Sequence, residues 1–371
     1  MAAGWRRIRE ALLNADYDLL LAGAGHAHLG VLRQWLDTPR PPGRIGLIND
    51  SAHAWYSGML PGLLAGRYRG EQCRVPLQGL CAGSTVELLE GHLIGLDAEA
   101  NTLSLSDGRR LTAAWLSLNL GSQPGGPKLQ DSCLQLLPVK PFEAFLATWN
   151  QWCEAPEALA IVGGGAAGVE LALALAPQVP GLTLISAASI LAGHPPGLRT
   201  RAIRRLMRAG VHLLEGVAID SAQGHDLKLG ADTVWQGRRV ILATGANPLP
   251  WLCEAGLACD TRGFIRVGPT LQSLSHPRIF ASGDCASLEG TPRNGVYAVR
   301  QGPVLAGNLV AALKRQPLTD YVPQRRALAL LADGQGGGLL SWAGMTAEGS
   351  WLGWWKDRLD RRFIKRHLTR D

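Results

Sequence analysis

The sequence predicts an α/β fold in which one strand–turn–helix unit occurs twice. The first unit is LLLAGAGHAHLGVL at residues 19–32, and the second is ALAIVGGGAAGVELALALA at residues 158–176. In each unit a short apolar run, typical of a strand buried in a parallel sheet, precedes a glycine-rich turn and a helical pattern. The chain has 46 glycines among 371 residues, which suits many short connections. These features predict two α/β domains and a short C-terminal segment.

Three glycines give the second turn its predicted chemistry. Gly163 would make the tight turn, Gly165 would let the backbone approach a pyrophosphate, and Gly168 would let the helix pack closely on the strand. The N-terminus of the following helix attracts negative charge. Because this motif lies between a strand and a helix and has a counterpart upstream, it predicts a dinucleotide site.

The first turn departs from this pattern. Gly23 and Gly25 are present, but His28 stands where a third glycine is expected, and His26 precedes it. The two histidines could contact a dinucleotide, bind a metal or simply pack. Residues at i and i+2 point to different sides of a helix start, and no Cys, Asp or Glu cluster joins them, so we predict no metal site. We expect at least one of the histidines to contact a cofactor.

Three later segments complete the pattern. WLSLNLGSQPGGP (115–127) and RRVILATGANPLP (238–250) are apolar strands that end in glycine turns, as expected where a chain passes between domains. HPRIFASGDCASLEG (276–290) is a strand that ends at Gly283 and Asp284. An aspartate at the carboxyl end of a strand can accept a hydrogen bond from a sugar or ribitol hydroxyl.

The order of these five motifs resembles that of the pyridine nucleotide-disulfide oxidoreductase superfamily, flavoproteins with two dinucleotide-binding domains. The narrower similarity is to its FAD-containing NADH dehydrogenase-like branch, the flavoprotein sometimes fused to selenide, water dikinase. It is carried by GHAHLGVL (25–32), WYSGMLPGLLAG (55–66), VKPFEAFL (139–146), NGVYAVRQGPVLAGNL (294–309) and WWKDRLDRRF (354–363). The resemblance implies an FAD domain at 15–125 and 246–325, an inserted NAD(P)H domain at 126–245, and a C-terminal segment at 326–371.

The resemblance also implies the cofactor contacts. Asn49 would accept from the adenosine ribose without the usual charge, Asp284 would accept from the ribitol, and a helix beginning near residue 295 would stabilise reduced flavin. The expected contacts are Gly23, Gly25, His26, Ala27, His28, Asn49, Ser57, Gly58, Met59, Leu93, Gly121, Ser122, Gly163, Gly165, Gly168, Gly245, Gly283, Asp284, Val296, Tyr297 and Gln301.

Two residues are the catalytic candidates. The resemblance places Glu170 near the nicotinamide carboxamide, although a carboxylate in the first turns of a helix is also explained by the helix dipole. Lys140 could reach the flavin N5 edge, or it could be a surface lysine before a helix. The strand GLTLIS ends at Ser186 with neither an acid nor an arginine, so either NADH or NADPH could be the donor.

The cysteine pattern argues against disulfide reductase chemistry, because neither C-x4-C nor C-x-x-C occurs at the expected places. We therefore predict an FAD-dependent NAD(P)H dehydrogenase-like enzyme that passes electrons to a quinone or another small acceptor. One alternative is a sulfide- or selenium-species:quinone oxidoreductase that uses Cys285, Cys253 or Cys259 near the flavin. Another is a low-turnover flavoprotein with a binding role.

The basic excess, +7 overall, is concentrated in the C-terminal helix pattern. Residues 351–368 would place Trp351, Leu352, Trp355, Leu359 and Phe363 on one side, which suits either peripheral membrane contact or packing on the protein. No nucleic-acid motif occurs, so we expect no nucleic-acid partner. The first residues lack an uninterrupted apolar segment, so we expect a cytoplasmic protein, and peripheral contact at the inner face of the membrane is one of the two alternatives for the C-terminal helix.

Overall fold

The computed structural model describes residues 15–368, so the first residues, on which the expectation of a cytoplasmic protein rests, lie outside the described part of the chain. In chain order the strands are β1 (Tyr17–Ala22), β2 (Ile45–Asn49), β3 (His53–Trp55), β4 (Arg74–Pro76), β5 (Glu87–Glu90), β6 (Leu93–Asp97), β7 (Thr102–Leu105), β8 (Arg110–Leu118), β9 (Gln123–Pro124), β10 (Lys128–Ser132), β11 (Gln135–Pro138), β12 (Leu159–Val162), β13 (Thr183–Ser186), β14 (His212–Glu215), β15 (Ser221–Gly224), β16 (Asp226–Leu229), β17 (Asp232–Gln236), β18 (Arg239–Leu242), β19 (Ala246–Asn247), β20 (Ile265–Arg266), β21 (Ile279–Ala281), β22 (Ala286–Ser287), β23 (Ala329–Ala332), β24 (Gly338–Trp342) and β25 (Met345–Gly349).

The α-helices of the described residues are α1 (His26–Asp37), α2 (Leu60–Leu64), α3 (Leu77–Gly83), α4 (Phe142–Glu154), α5 (Ala166–Leu175), α6 (Pro196–Arg208), α7 (Trp251–Glu254), α8 (Gly295–Leu313) and α9 (Ser350–His367). Short 3₁₀ turns occupy Ser57–Met59, Gly70–Cys73 and Gly283–Cys285. No described helix combines the length and the apolar character needed to cross a bilayer.

The first sheet has seven strands in the order β5-β2-β1-β8-β7-β6, and β21 also pairs with β8. Its central strand β1 runs parallel to both neighbours and is buried along nearly its whole length, as its apolar run predicts. On this sheet α1 and α8 cross closely, since a Cβ added at Gly30 would lie 3.3 Å from the Cα of Gly302. The two glycines therefore set the distance between the helices.

The second sheet is fully parallel, with the order β11-β18-β12-β13-β14. The helices α4, α5 and α6 contribute apolar side chains to its core, among them Phe145, Trp149, Val169, Leu173 and Leu206. One mixed sheet with a parallel centre and one fully parallel sheet, each with helices, confirm the predicted α/β fold class. The chain passes between them at β9 and β19, which pair antiparallel. The residue boundaries of the two domains stay a prediction.

The C-terminal segment is more than the predicted helix, because α9 follows an antiparallel sheet of β23, β24 and β25. This sheet is tied to the second domain by the ion pair between Arg205 in α6 and Asp333, at 3.3 Å. The following helix is tied to the first domain, where the Tyr68 hydroxyl donates to Asp357 at 2.8 Å. The segment thus connects both domains.

The orientation of α9 corrects the predicted grouping of its side chains. Its buried residues are Leu352, Gly353, Asp360, Ile364 and His367. Trp351 and Leu359, expected on the same side as Leu352, are instead 57% and 39% exposed, and Trp354 is 64% exposed. The helix packs through a side that carries a buried carboxylate, so the tryptophan-rich side faces outward.

Candidate functional site

The first glycine turn is built around Asn119, a residue that the sequence analysis did not single out. The side-chain oxygen of Asn119 accepts from the backbone N–H groups of Ala27 and His28, at 3.2 and 3.3 Å, and its amide donates to Ser282 O at 2.8 Å. A Cβ at Gly25 would collide with this side chain. Gly25 is therefore required by Asn119, which joins the end of β8 to the start of α1.

His28 has a structural role, which corrects its predicted contact with a cofactor. Its ring is fully buried, with Nδ1 2.6 Å from Gly23 O and Nε2 2.8 Å from the Ser117 hydroxyl. Both ring nitrogens are thus engaged inside the protein. The ring occupies the space between α1 and β8 that a third glycine would close.

Replacing His28 with leucine is expected to lower the free energy of unfolding by about 1–3 kcal/mol, because a buried hydroxyl and a buried carbonyl lose their partner. Burial lowers the pKa of His28 to about 4, well below the usual 6.5. At pH values between these two pKa values, the unfolded chain binds a proton at His28 that the folded chain does not bind. The contribution of His28 to the free energy of unfolding is therefore complete above about pH 6.5 and decreases toward pH 4. Thermal melts from pH 7 to 4.5 should show a steeper loss for the wild type than for His28→Leu. His212→Leu, at an exposed position, serves as the control. If His28→Leu is as stable as the wild type, His28 does not have this structural role.

Asn49, at the end of β2, is bonded to the first glycine turn. Its oxygen accepts from Ala24 N at 3.0 Å, and its amide donates to Ser51 O at 2.8 Å. The side chain thus stabilises the turn. Its oxygen has a second lone pair, and the predicted contact of this lone pair with a ribose hydroxyl stays a prediction. Nearby, Leu93 is buried at 9% exposure.

Asp284 lies at the centre of several predicted residues. Its carboxylate is 3.0 Å from the Lys140 ammonium and 3.5 Å from the Ser122 hydroxyl. The adjacent Gly283 N–H donates to the Gln301 side chain at 2.7 Å. Lys140, predicted beside the flavin, is therefore paired with the predicted ribitol acceptor.

The N-terminus of α8 is capped from within the chain. The side chain of Asn294 accepts from Val296 N at 3.0 Å and from Tyr297 N at 3.4 Å. These two predicted cofactor contacts therefore already have their backbone N–H groups bonded. The ring of His26 lies near this helix start, 3.8 Å from where a Cβ of Gly295 would be.

The second glycine turn fits a bound dinucleotide. Gly163 has φ +132°, and a Cβ at Gly168 would overlap the Gly163 carbonyl oxygen, so both glycines serve the turn itself. By contrast, a Cβ at Gly165 or Gly245 would meet no atom within 4 Å. These two positions border open space, where a ligand can approach the backbone.

Two charged side chains lie at the end of β13, beside Ser186. Ser186 is paired in register with Glu215 on β14. Glu215 accepts from Ile190 N at 2.6 Å and from the Arg199 guanidinium at 2.7 Å. An acid and an arginine therefore lie beside Ser186, although neither follows it closely in sequence.

A polar cluster joins both domains to the C-terminal segment. The Lys356 ammonium donates to Gly58 O at 2.8 Å and to Asp360 at 3.0 Å, and the Tyr56 hydroxyl donates to Asp360 at 3.2 Å. From α5, Glu170 accepts from Ala332 N at 2.7 Å. Glu170 and Gly58 were predicted site residues, whereas Tyr56, Ala332, Lys356 and Asp360 were not.

Burial and neighbouring charges act in opposite directions on the pKa values of this cluster. Burial raises the pKa of Glu170, and Lys356 only partly offsets this effect. Burial opposes the charge on Lys356, but the carboxylates of Glu170 and Asp360 outweigh it, so its pKa is raised. Lys356 therefore stays an ammonium at neutral pH.

Aromatic rings close this site next to the first turn. Tyr56 stacks on Phe363 of α9 with centroids 4.2 Å apart, and His26 lies 5.5 Å from each ring. Burial lowers the pKa of His26 to about 4, so its imidazole is neutral at pH 7. Through Phe363, α9 thus packs beside the start of α1.

The environment of Cys285 argues against the alternative in which this cysteine reacts near the flavin. Cys285 is fully buried and its thiol donates to Ser282 O at 3.3 Å. Burial raises the pKa of this thiol to about 11, so it is not a thiolate at neutral pH.

Comparison with known proteins places the chain in a family. The sequence pattern of the pyridine nucleotide-disulphide oxidoreductases matches residues 17–302. The chain belongs to this family. The predicted resemblance is therefore confirmed at the level of the superfamily.

Two relatives match this chain over part of their length. Ferroptosis suppressor protein 1 of Homo sapiens is 28% identical over 252 residues, which cover 63% of this chain and 66% of that protein. Alternative NAD(P)H-ubiquinone oxidoreductase C1, chloroplastic/mitochondrial, of Arabidopsis thaliana is 26% identical over 263 residues, 61% of this chain and 51% of that protein. The chain thus spans just under two thirds of the first relative and about half of the second.

The structural comparison gives the same fold over nearly the whole chain. The sulfide:quinone oxidoreductase of Aquifex aeolicus superposes with a TM-score of 0.75 at 18% identity, covering 94% of this chain and 91% of that one. At this identity the likeness establishes the fold.

Proposed function

We propose that the protein is an FAD-dependent oxidoreductase that takes hydride from NAD(P)H and passes electrons to a quinone. The observation that carries this proposal is the cluster of Glu170, Lys356 and the Gly58 carbonyl. In this cluster the helix of the second glycine turn lies near the predicted cofactor contacts Ser57, Gly58 and Met59. The plant relative's name, an NAD(P)H-ubiquinone oxidoreductase, supports the same acceptor class.

The two glycine turns supply the cofactor sites in this proposal. Gly23 and Asp284 would hold FAD, and the open backbone at Gly165 and Gly245 would hold NAD(P)H. Bound FAD would supply the hydride and electron transfer, and the protein supplies orientation and protons.

Lys356 is suited to the acceptor side of the reaction. An ammonium has three N–H donors, and two of them bond Gly58 O and Asp360. The third can donate to an acceptor oxygen that gains negative charge on reduction. Burial raises the pKa of Glu170, which suits this carboxyl group to proton exchange during the reaction.

A steady-state assay tests this function. The purified protein should oxidise NADH or NADPH only when a short-chain ubiquinone is added, and sodium sulfide should not replace the nucleotide. Sulfide-driven quinone reduction without any nucleotide would instead favour the thiol-based alternative.

Nucleotide preference should depend on Glu215. We expect Glu215→Gln to raise the ratio of kcat/KM for NADPH over NADH about threefold to tenfold, on the order of 1 kcal/mol. The reason is that Arg199 loses its carboxylate partner and becomes free for a 2′-phosphate. Glu157→Gln, which removes an acid near Arg239 instead, is the matched control. An unchanged ratio would show that this pair does not read the ribose.

The outward side of α9 would bring the enzyme to a membrane surface, where a quinone is found. Trp351 and Trp354 are 57% and 64% exposed, and Arg358 lies over the Trp354 ring at 5.7 Å. Further exposed cations on the helix are Arg361, Arg362, Lys365 and Arg366. Tryptophan beside basic side chains suits the headgroup region of a bilayer.

Removing the two tryptophans should release the protein from lipid. We expect Trp351→Ser with Trp354→Ser to weaken binding to vesicles containing anionic lipid about tenfold or more in sedimentation. Leu129→Ser with Leu274→Ser removes residues that are 62% and 55% exposed outside α9, and it should bind like wild type. Equal binding by both double variants would argue against a membrane role for α9.

A further inference from the structure

Two cysteines that the proposed reaction does not use lie together beside the connection between the domains. Cys253 is exposed in α7, and its thiol donates to Gly263 O at 3.3 Å. Cys259 is half-buried and forms an antiparallel bridge with Ile265 in the same hairpin as Gly263. The contact with Gly263 O therefore places the Cys253 thiol on the hairpin that carries Cys259, close enough to raise the pKa of the Cys259 thiol.

The hairpin holds Cys259 in place. Asp260 accepts from Arg262 N at 2.9 Å and from Phe264 N at 3.0 Å. Asp260 also pairs with Arg293 at 3.3 Å, and the Arg293 guanidinium lies 3.9 Å from the centre of the Phe264 ring. The dithiol is therefore fixed by a packed turn rather than by a chance approach of surface side chains.

The reactivity of the two sulfurs differs. Burial raises the pKa of Cys259 to about 12, and its contact with Cys253 adds to this effect. Cys259 therefore keeps its proton. The exposed Cys253 is the sulfur that a reagent in solution reaches first.

We propose that Cys253 and Cys259 form a redox-active dithiol that hydroperoxides convert to an intramolecular disulfide. The Cys253 sulfur attacks the terminal peroxide oxygen, the O–O bond breaks, and an alcohol or water leaves with the released proton. The Cys259 sulfur then attacks the Cys253 sulfenic acid, forming the S–S bond, and the hydroxyl leaves as water with the Cys259 proton. Two thiols and one hydroperoxide thus give one disulfide, one alcohol and one water.

The disulfide would act on the connection between the domains. Oxidation removes the thiol donor that bonds Gly263 O and links α7 covalently to the hairpin. The hairpin also carries Arg262, which donates to Ala246 O in β19 at 3.0 Å. Arg262 further lines a cavity of about 220 Å³ together with Gly245 and Asn247.

Thiol counting in the full-length holoprotein tests the proposal. Cys133 and Cys153, both exposed, are first replaced with serine so that they do not react. One equivalent of hydrogen peroxide should then remove two maleimide-reactive thiols and lower the intact mass by 2 Da, reversibly with dithiothreitol. Peptide mapping should join Cys253 to Cys259. Phenylarsine oxide, a probe for paired thiols, should bind in one equivalent and lose at least about 100-fold in affinity in Cys253→Ser or Cys259→Ser.

The single variants make the order of reaction testable. Cys259→Ser should stop at a Cys253 sulfenic acid that dimedone traps, whereas Cys253→Ser should resist the same dose of peroxide. The proposal is overturned if peroxide leaves Cys259 alkylatable in the native protein, or if phenylarsine oxide binds the single variants as tightly as the parent. Because none of these measurements depends on turnover, their failure is distinguishable from failure of the proposed oxidoreductase activity.

Discussion

Replacing Lys356 with methionine is expected to lower quinone-dependent turnover of NADH about 100-fold while the protein keeps its flavin. The ammonium is held between Gly58 O and Asp360, and its raised pKa keeps it charged at neutral pH. A methionine fills similar volume but donates no hydrogen bond to the acceptor. The measurement is kcat at saturating NADH and quinone, together with the flavin absorbance per protein.

Two controls separate chemistry from folding. Lys365→Met removes an exposed lysine of the same helix and should keep wild-type kcat. Since Lys356→Met leaves Asp360 and Glu170 without their cation, it also costs about 3–5 kcal/mol of stability. Adding Asp360→Asn should restore the melting temperature but not the turnover. A Lys356→Met protein with more than half of the wild-type kcat would remove Lys356 from the proposed mechanism.

Replacing the glycines of the second turn with alanine should also have large effects, on stability at Gly168 and on nucleotide binding at Gly165. Gly168→Ala places a Cβ on the Gly163 carbonyl oxygen, so it should lower the free energy of unfolding by about 1–3 kcal/mol. Gly165→Ala meets no protein atom within 4 Å, so the protein should fold normally. Its new methyl group would instead lie where the nucleotide backbone approaches, and the KM for NADH should rise about tenfold or more.

Thermal melts and nucleotide titrations on the same two variants test these separate roles of Gly165 and Gly168. The expected pattern is a low melting temperature for Gly168→Ala and a normal one, with weak NADH binding, for Gly165→Ala. Flavin content should be unchanged in Gly165→Ala, because the first turn lies on the other sheet. If Gly165→Ala binds NADH like wild type, the open space at this turn is not the nucleotide site.

Local patterns predicted much of the fold because they are local in origin. The apolar runs of β1 and β12 and the glycines after them specify a parallel strand and a turn within about ten residues. The structural role of His28 could not be predicted from local sequence. Its ring bonds Ser117, which lies 89 residues further along the chain, so the sequence shows the substitution but not the partner.

The candidate site depends more on long-range contacts. The Tyr56 hydroxyl bonds Asp360 across 304 residues, and Lys356 reaches Gly58 across 298. Periodicity in α9 favoured an apolar side that includes Trp351 and Leu359, whereas the helix packs through Asp360 and exposes both of these residues. A buried charge pair is invisible to a pattern based on apolar residues. The spacing of Lys356 and Asp360 at i and i+4 was the available signal, and only the fold gives it meaning.

An anaerobic double-mixing experiment tests the central claim most directly. The yellow protein is first mixed with NADH or NADPH and then with a short-chain ubiquinone, while the flavin absorbance is followed. The proposed function predicts bleaching within seconds by at least one nucleotide, then return of the colour on quinone addition, with the second phase slowed about 100-fold in Lys356→Met. A flavin that neither nucleotide bleaches, or that is bleached but not reoxidised by the quinone, would contradict it.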